Sequence, residues 1–196
     1  MARHRSPSRT GRPREARVDE AITSATRELL AEAGHHGLTM DAVARRAGIG
    51  KAAIYRRYAT KQEMVLAAAV EGTVPATPDT GSLLGDLTVL AETVVARLSH
   101  PAASNGLLGL LGELGTDAAL AGRFAELLIE PERAGDELVL RRAVDRGELA
   151  AMPDVELFHA VFGGAVLSWI FVSRLDPADL PARLARFTCA ALRAER

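Results

Sequence analysis

Cysteine and long apolar runs are scarce in this 196-residue sequence. The first scarcity argues against disulfide-stabilised folds, and the second argues against membrane-spanning proteins. The single cysteine, Cys189, cannot form an internal disulfide and has no Cys or His neighbour at the spacing of metal ligands. No apolar run approaches the roughly 20 residues that span a bilayer, and no apolar segment follows the basic N-terminus. We therefore expect a protein of the reducing cytoplasm, with neither a membrane partner nor a secretory signal.

Signatures of catalysis and of metal binding are also missing. Ser, Cys and His are scattered without a nucleophile motif, no glycine-rich phosphate loop follows a strand, and no pair of carboxylates stands out. His35 and His36 are adjacent but lack partners at helical spacing, so a loop is the favoured interpretation. The sequence predicts no enzyme activity, no cofactor and no metal site.

The net charge of −1 hides a division between the two ends of the chain. Residues 1–62 carry 13 Lys+Arg against 6 Asp+Glu, a net charge of +7, while the remainder carries 11 against 19. A basic first third on an acidic body indicates a polyanionic partner at one end only.

Helical periodicity runs through the chain and no alternating, strand-like pattern occurs, which predicts an all-α fold of about nine helices. Residues 1–14 form an arginine-rich segment that we expect to be disordered, residues 15–72 a small helical module, and residues 82–196 a larger helical domain. Pro75, Pro78 and Gly81 separate the two domains. Three roles are open for the basic arm: insertion into a DNA minor groove, a solubilising tail, or mimicry of a targeting peptide.

Residues 39–61 have the pattern of a helix-turn-helix. Thr39 is expected to cap a short helix that Gly48 ends, and the next helix begins near Lys51. Thr60 and Glu63 form a capping box that starts a fourth helix at Lys61. Such a motif places its second helix in the major groove of DNA, which predicts a DNA-binding module.

The motifs of this module resemble those of the TetR family of bacterial transcriptional regulators. They are Gly37-Leu38-Thr39, Ala47-Gly48-Ile49, Ile54-Tyr55, Tyr58 and Lys61. The resemblance implies that Thr39, Tyr55, Arg57 and Lys61 contact phosphates. It also implies that Lys51, Ala52 and Ala53 face the bases, with Arg56 suited to either role. Gly50 and Ala53 depart from the hydroxyl residues that most relatives have there.

The larger domain should begin with a long helix from Leu83 that Pro101 stops, followed by a leucine-rich segment, Leu107 to Leu114. A helical stretch from about Asp117 to Arg146 contains Pro131, which should kink or divide it. Two further helices are expected from about Asp154 to Arg174 and from about Ala178 to Arg193.

The last two helices are the predicted dimer surface, since a helix-turn-helix protein usually binds paired half-sites as a dimer. The apolar stripes comprise Phe158, Phe162, Val166, Trp169, Ile170, Leu180, Leu184, Phe187 and Leu192, and in the family the corresponding pair forms a four-helix bundle with its mate. The Gly163-Gly164 pair would permit close approach. The alternative is an ordinary intramolecular core.

By the same resemblance, the region between residues 83 and 140 would hold an effector pocket. Its expected walls are Leu87, Leu90, Val94, Leu111, Phe124 and Leu128, with Glu113, Arg123 and His100 as polar groups. Plain core packing is the alternative for each of these residues. Apolar walls would suit an apolar or aromatic small molecule.

The sequence thus predicts a cytoplasmic, homodimeric regulator that binds a double-stranded DNA operator, with a repressor released by a small hydrophobic effector as the favoured form. A dimeric DNA-binding protein without an effector is one alternative. A helical ligand carrier or enzyme with an incidental basic face is the other.

Overall fold

The computed structural model describes residues 12–70 and 76–194 of the chain. Most of the predicted arm, residues 1–11, and the predicted end of the fourth helix near Gly72 lie outside the described residues. The backbone of residues 12–14, which the sequence analysis assigns to the arm, belongs to the first helix.

Four helices build the N-terminal module. Their bounds are α1 Arg12–Gly37, α2 Met40–Ala47, α3 Lys51–Tyr55 and α4 Lys61–Val70. Gly34 interrupts α1 with a φ of 67°, a left-handed conformation that glycine adopts without a steric cost, at the position where the sequence predicts that the helix ends. Ile22 and Ile54 are fully buried between these helices, and Ile49 and Tyr58 pack partly buried against the same core.

Six helices build the larger domain. Their bounds are α5 Leu83–Ser99, α6 Pro101–Leu114, α7 Ala118–Phe124, α8 Glu130–Asp145, α9 Val155–Leu167 and α10 Leu180–Ala194. A π-helical turn, Ala125–Ile129, joins α7 to α8 into one continuous body. The described residues therefore form nine helical bodies and no strand, which confirms the predicted all-α fold.

The two prolines act differently from one another. Pro101 does more than follow the end of α5: it occupies the first turn of α6, where its missing amide hydrogen costs no hydrogen bond. The helix that contains the leucine-rich segment consequently begins at Pro101 and not near Leu107. Pro131 lies directly after the π-helical turn, whose wider hydrogen bonding accommodates the residue without breaking the helix.

Helix α6 lies between the two domains, because α1 and α4 of the module pack against it from one side. In the larger domain, α10 packs along α5, and α9 packs against both α5 and α8. The module and the larger domain consequently share one continuous apolar core.

The stretch Val155–Val172, which comprises α9 and a second π-helical turn, is more apolar than the sequence analysis allows. It is 18 residues long with a mean hydropathy of 1.8, so by length and composition alone it is sufficient to cross a membrane. The expectation that no apolar run approaches this length is therefore wrong. In the fold, Phe158, Phe162 and Val166 of this stretch are buried in the core, and its other side remains exposed.

Candidate nucleic-acid interface, ligand cavity and dimer face

The turn between α2 and α3 is built from short-range contacts. The Thr39 hydroxyl accepts a hydrogen bond from the Ala42 amide at 3.1 Å, which caps α2. Gly48 ends α2 in the left-handed conformation, with φ 66° and ψ 30°. Gly50 precedes α3 and provides no side-chain cap, as expected for a residue without a hydroxyl. These contacts fix the orientation of α3 relative to α2.

Helix α3 has one buried side and one exposed side. Ile54 points into the core, whereas Lys51, Ala52, Tyr55 and Arg56 are exposed, Tyr55 by 56%. A tyrosine ring this exposed contributes little to packing. We call the residues that the sequence analysis assigns to DNA the α3 face: Thr39, Lys51, Ala52, Ala53, Tyr55, Arg56, Arg57 and Lys61. Of these, Ala53, Arg57 and Lys61 are partly buried.

The cations of the α3 face differ in their partners. Lys51 forms an ion pair with Asp41, and Arg57 forms one with Asp19 while donating to the Ala53 carbonyl at 3.2 Å. The Lys61 ammonium donates to the His35 carbonyl at 3.0 Å. The side chain of Arg56 has no hydrogen bond or ion pair within residues 12–70 and 76–194.

A polar cluster joins the module to α6, and we call it the junction cluster: His35, Lys61, Gln62 and Glu113. The Glu113 carboxylate lies 2.9 Å from His35 Nε2 and accepts a hydrogen bond from the Gln62 amide at 2.7 Å. These hydrogen bonds, from Gln62 and then His35, lower the pKa of Glu113 below its ordinary value. His35 is buried, so it lies in the interdomain contact and not in an open loop.

The larger domain encloses a cavity of about 330 Å³ between α5, α6, α8 and α9. Its walls include the predicted residues Leu90, Val94, Leu111, Phe124 and Leu128. Leu87, also predicted, is fully buried and does not line the cavity.

The three predicted polar groups lie elsewhere. Glu113 belongs to the junction cluster, Arg123 forms a surface ion pair with Glu126 at 2.6 Å, and His100 is exposed before α6.

The polar wall of the cavity consists instead of residues that the sequence analysis does not single out. Arg97 forms an ion pair with Glu132, and His159 Nδ1 lies 2.8 Å from the Asp136 carboxylate. All four line the cavity. In the sequence, only the four-residue spacing of Glu132 and Asp136 pointed to these residues. It indicates that the two side chains share one side of α8, but not which residues pack against that side.

The predicted dimer residues divide into two groups. Phe158, Phe162, Val166, Leu180 and Leu184 are buried by their own chain, and Trp169, Ile170 and Leu192 are partly buried. Phe187 is 72% exposed.

Other apolar side chains of the last two helices and their connection are also exposed, and with Phe187 they form what we call the α9–α10 face: Leu157, Val161, Val172, Leu175 and Phe187. Apart from Phe187, the exposed apolar side chains differ from the predicted stripe, because one side of α9 packs in the core of its own chain and the other side is exposed.

Comparisons with known proteins agree with this architecture. Residues 22–68 match the family described as "Bacterial regulatory proteins, tetR family", and residues 77–187 match the family described as "Tetracyclin repressor-like, C-terminal domain". An uncharacterised HTH-type transcriptional regulator of Mycobacterium tuberculosis, Rv1556, is 35% identical over 162 residues, which cover 81% of this chain and 79% of that protein.

Solved structures show the same fold. The TetR family transcription regulator SCO0332 is 28% identical, with a TM-score of 0.71 over 88% of this chain and 97% of that one. The transcriptional regulator FadR of Bacillus subtilis, solved in complex with stearoyl-CoA, has a TM-score of 0.63 over 90% of this chain and 98% of that one, at 16% identity. On its motifs, its fold and these matches, the chain belongs to the TetR family of bacterial transcriptional regulators.

Proposed function

We propose that this chain is a homodimeric repressor of the cytoplasm that binds a double-stranded DNA operator and is released from it by a small-molecule effector. The observation that carries the proposal is the α3 face, where an exposed tyrosine and exposed cations project from a helix whose opposite side is buried. Such a helix fits the major groove with its exposed side toward the bases.

On this proposal, Lys51, Ala52 and Ala53 lie toward base edges, while Thr39, Tyr55, Arg57 and Lys61 contact phosphates. Lys51 can donate to the acceptor atoms of guanine, and the Ala53 methyl can contact a thymine methyl. The Tyr55 hydroxyl stands at the end of a rigid ring, at a height that reaches a phosphate. Arg56, whose side chain has no partner among the described residues, is suited either to a base contact or to a phosphate contact.

Two cations of the α3 face must exchange partners when DNA binds. Lys51 leaves or shares Asp41 before it contacts a base, and Arg57 shares Asp19 before it contacts a phosphate. Exposed ion pairs contribute between about 0 and 1 kcal/mol, so the Lys51 exchange costs little. The carboxylates that are left behind repel a badly placed phosphate, which favours a single docking geometry.

A dimer is supported by the α9–α10 face, where five large apolar side chains are exposed on adjoining elements. Contiguous exposed apolar surface of this kind marks protein contacts in soluble proteins. Two copies joined there would hold their two α3 faces at a fixed separation. A dimer needs such a separation because paired half-sites lie about 34 Å apart or at a multiple of that distance.

We assign the coupling between effector binding and DNA binding to α6, because this helix lines the cavity and also packs against α1 and α4 of the module. Leu107 and Leu111 line the cavity, while Glu113 of the same helix is bound to His35 and Gln62 of the module. A ligand that prefers a shifted α6 moves α4, and with it the α3 face, away from the spacing that the operator needs. The ligand of the FadR neighbour supports an effector for this fold without indicating its chemistry here.

The DNA-binding proposal is tested by selecting genomic fragments that bind the purified protein, then titrating one labelled fragment over a range of salt concentrations. Replacing Tyr55 and Lys61 with alanine should weaken binding, and the loss of the Lys61 cation from a phosphate should flatten the salt dependence by about one unit of slope. Arg141→Ala on α8 is the matched control, since it removes an exposed arginine far from the α3 face. Binding that is indifferent to both α3-face substitutions contradicts the proposal.

The effector proposal is tested by reciprocity. A ligand that lowers the affinity for the operator must itself bind the operator complex less tightly, by the same factor. Equal ligand affinities with and without operator would leave a dimeric DNA-binding protein that no effector controls.

A further inference from the structure

The wall of the cavity holds unused hydrogen-bonding capacity. Asp136 is 8% exposed, and its only partner among the described residues is His159. An ionised carboxylate can accept about four hydrogen bonds, so most of its capacity is free. One oxygen of Glu132 accepts from Arg97, which leaves the other oxygen without a partner in the part of the chain that the structure describes.

Arg97 adds donors to these acceptors. Its Nε is buried and has no hydrogen-bond partner within residues 12–70 and 76–194, although its Nη1 is bound to Glu132. Leaving a buried donor unpaired costs about 1–3 kcal/mol, so such an atom marks a place where another polar group is expected. The wall thus offers free acceptors on the two carboxylates and at least one buried free donor on Arg97.

The charge of the wall is never positive while both carboxylates are ionised. Arg97 compensates one of the two carboxylates, and His159 compensates the other only when it is protonated. With a neutral His159 the wall therefore carries one negative charge in excess. An anionic ligand finds no uncompensated cation there, whereas a cationic one finds Asp136.

We propose that the cavity binds a compact, mainly apolar molecule that carries one positively charged hydrogen-bond donor, such as a protonated amine. This inference rests on the proposed function, because it names the chemical class of the effector. Leu90, Val94 and Phe124 would bury the hydrocarbon, and Asp136 and Glu132 would accept from the ammonium group. At about 330 Å³ the cavity is near the lower end of small-molecule pockets, which favours a compact ligand.

The test uses matched probes and needs no mutation. Calorimetry at neutral pH compares 2-naphthylmethylamine, 2-naphthalenemethanol and 2-naphthoate, and a second series repeats the comparison on a biphenyl skeleton. The amine should bind tightest in both series, about tenfold or more tighter than the carboxylate. Amines of both skeletons that fail to bind, or that bind no tighter than the carboxylates, overturn the inference.

Substitutions locate the preference. Asp136→Asn keeps the shape but removes the charge, so the affinity for the amine should fall toward that for the alcohol, which should not change. Glu137→Gln is the matched control, because Glu137 neighbours Asp136 on α8 but pairs with Arg141 on the surface. An amine preference that survives Asp136→Asn, or that Glu137→Gln abolishes equally, contradicts the assignment. If Asp136→Asn does not fold, the probe series on the unaltered protein decides.

Parallel DNA titrations separate the two proposals. Operator binding without a preference for amines overturns only the ligand class. Amine binding in a protein that ignores all genomic DNA overturns the proposed function and leaves the ligand class standing.

Discussion

Arg56 and Arg57 are adjacent in the sequence, yet their surroundings differ completely. The Arg56 side chain is exposed and has no partner among the described residues, whereas the Arg57 side chain is 16% exposed and is bound to Asp19 and to the Ala53 carbonyl. One arginine is available to a ligand, and the other also holds α3 against α1. Arg56 is the C-cap of α3 and Arg57 follows it, and successive side chains on helical backbone point about 100° apart.

We predict that Arg56→Ala lowers DNA affinity and leaves stability unchanged, because its side chain is exposed and, on the proposed function, contacts DNA. Arg57→Ala should lower DNA affinity and also destabilise the fold by about 1 kcal/mol, the upper end for a partly exposed ion pair. Fluorescence anisotropy with labelled operator and urea unfolding measure the two effects. An equal loss of stability in both variants would refute the distinction.

Glu113 gives the junction cluster a dependence on acid. Its pKa in the folded state lies below the ordinary value of 4.5, so the carboxylate stabilises the fold above that pH and this contribution disappears as the pH falls through the folded pKa. We predict that the difference in unfolding free energy between the unaltered protein and Glu113→Gln is present at neutral pH and shrinks below about pH 4.5. Chemical unfolding at several pH values measures it, and a difference that grows in acid would contradict the assignment.

At the scale of elements, α6 is the helix on which both sites depend, and its glycines are not equivalent. A Cβ at Gly109 would overlap the carbon atoms of the His35 side chain, whereas a Cβ at Gly112 meets no described atom within 4 Å. Gly109 is therefore needed for the close approach of the module, and Gly112 is not.

We predict that Gly109→Ala destabilises the protein by about 1–3 kcal/mol, since His35 must move from a packed position. Gly112→Ala, its control in the same helix, should stabilise by about 0.5–1 kcal/mol because alanine loses less backbone entropy. Urea unfolding distinguishes the two. If Gly109→Ala proves as stable as Gly112→Ala, the junction cluster does not depend on this contact.

The helices were largely predictable because their signals are local. The hydroxyl of Thr39 and the left-handed Gly48 act within a few residues, and the stripe around Ile22 repeats with the helical period. The sequence analysis does not predict that α6 begins at Pro101, because it treats this proline only as the end of α5. Proline also favours the first turn of a helix, and Pro101 occupies that position in α6.

The sites were less predictable, since they depend on contacts between distant residues. Glu113 and His35 are 78 positions apart, and nothing in either local sequence indicates that they meet. The charged pairs of the cavity, Arg97 with Glu132 and Asp136 with His159, are likewise formed between helices. The exposure of Lys51, Tyr55 and Arg56 was predictable because these residues belong to one short local motif.

At the scale of the whole molecule, the α9–α10 face should decide the oligomeric state. We predict that Phe187→Arg or Val161→Arg converts a dimer to monomers, because an arginine opposite its own symmetry mate introduces like charges into an apolar contact. Operator affinity should fall with it, although each α3 face is unchanged. Sedimentation velocity measures the mass.

Leu108→Arg is the control for that experiment. Leu108 is a similarly exposed apolar residue on α6, away from α9 and α10, and it should leave the mass unaltered. Monomers that appear with Leu108→Arg alone would place the contact elsewhere.

Gly163 and Gly164 line the cavity, and a Cβ at either position meets no described atom within 4 Å. A methyl group added there would reduce the space without displacing the backbone. Gly163→Ala or Gly164→Ala would therefore each narrow the range of molecules that the cavity binds. Neither substitution would first require a compensating change in the core.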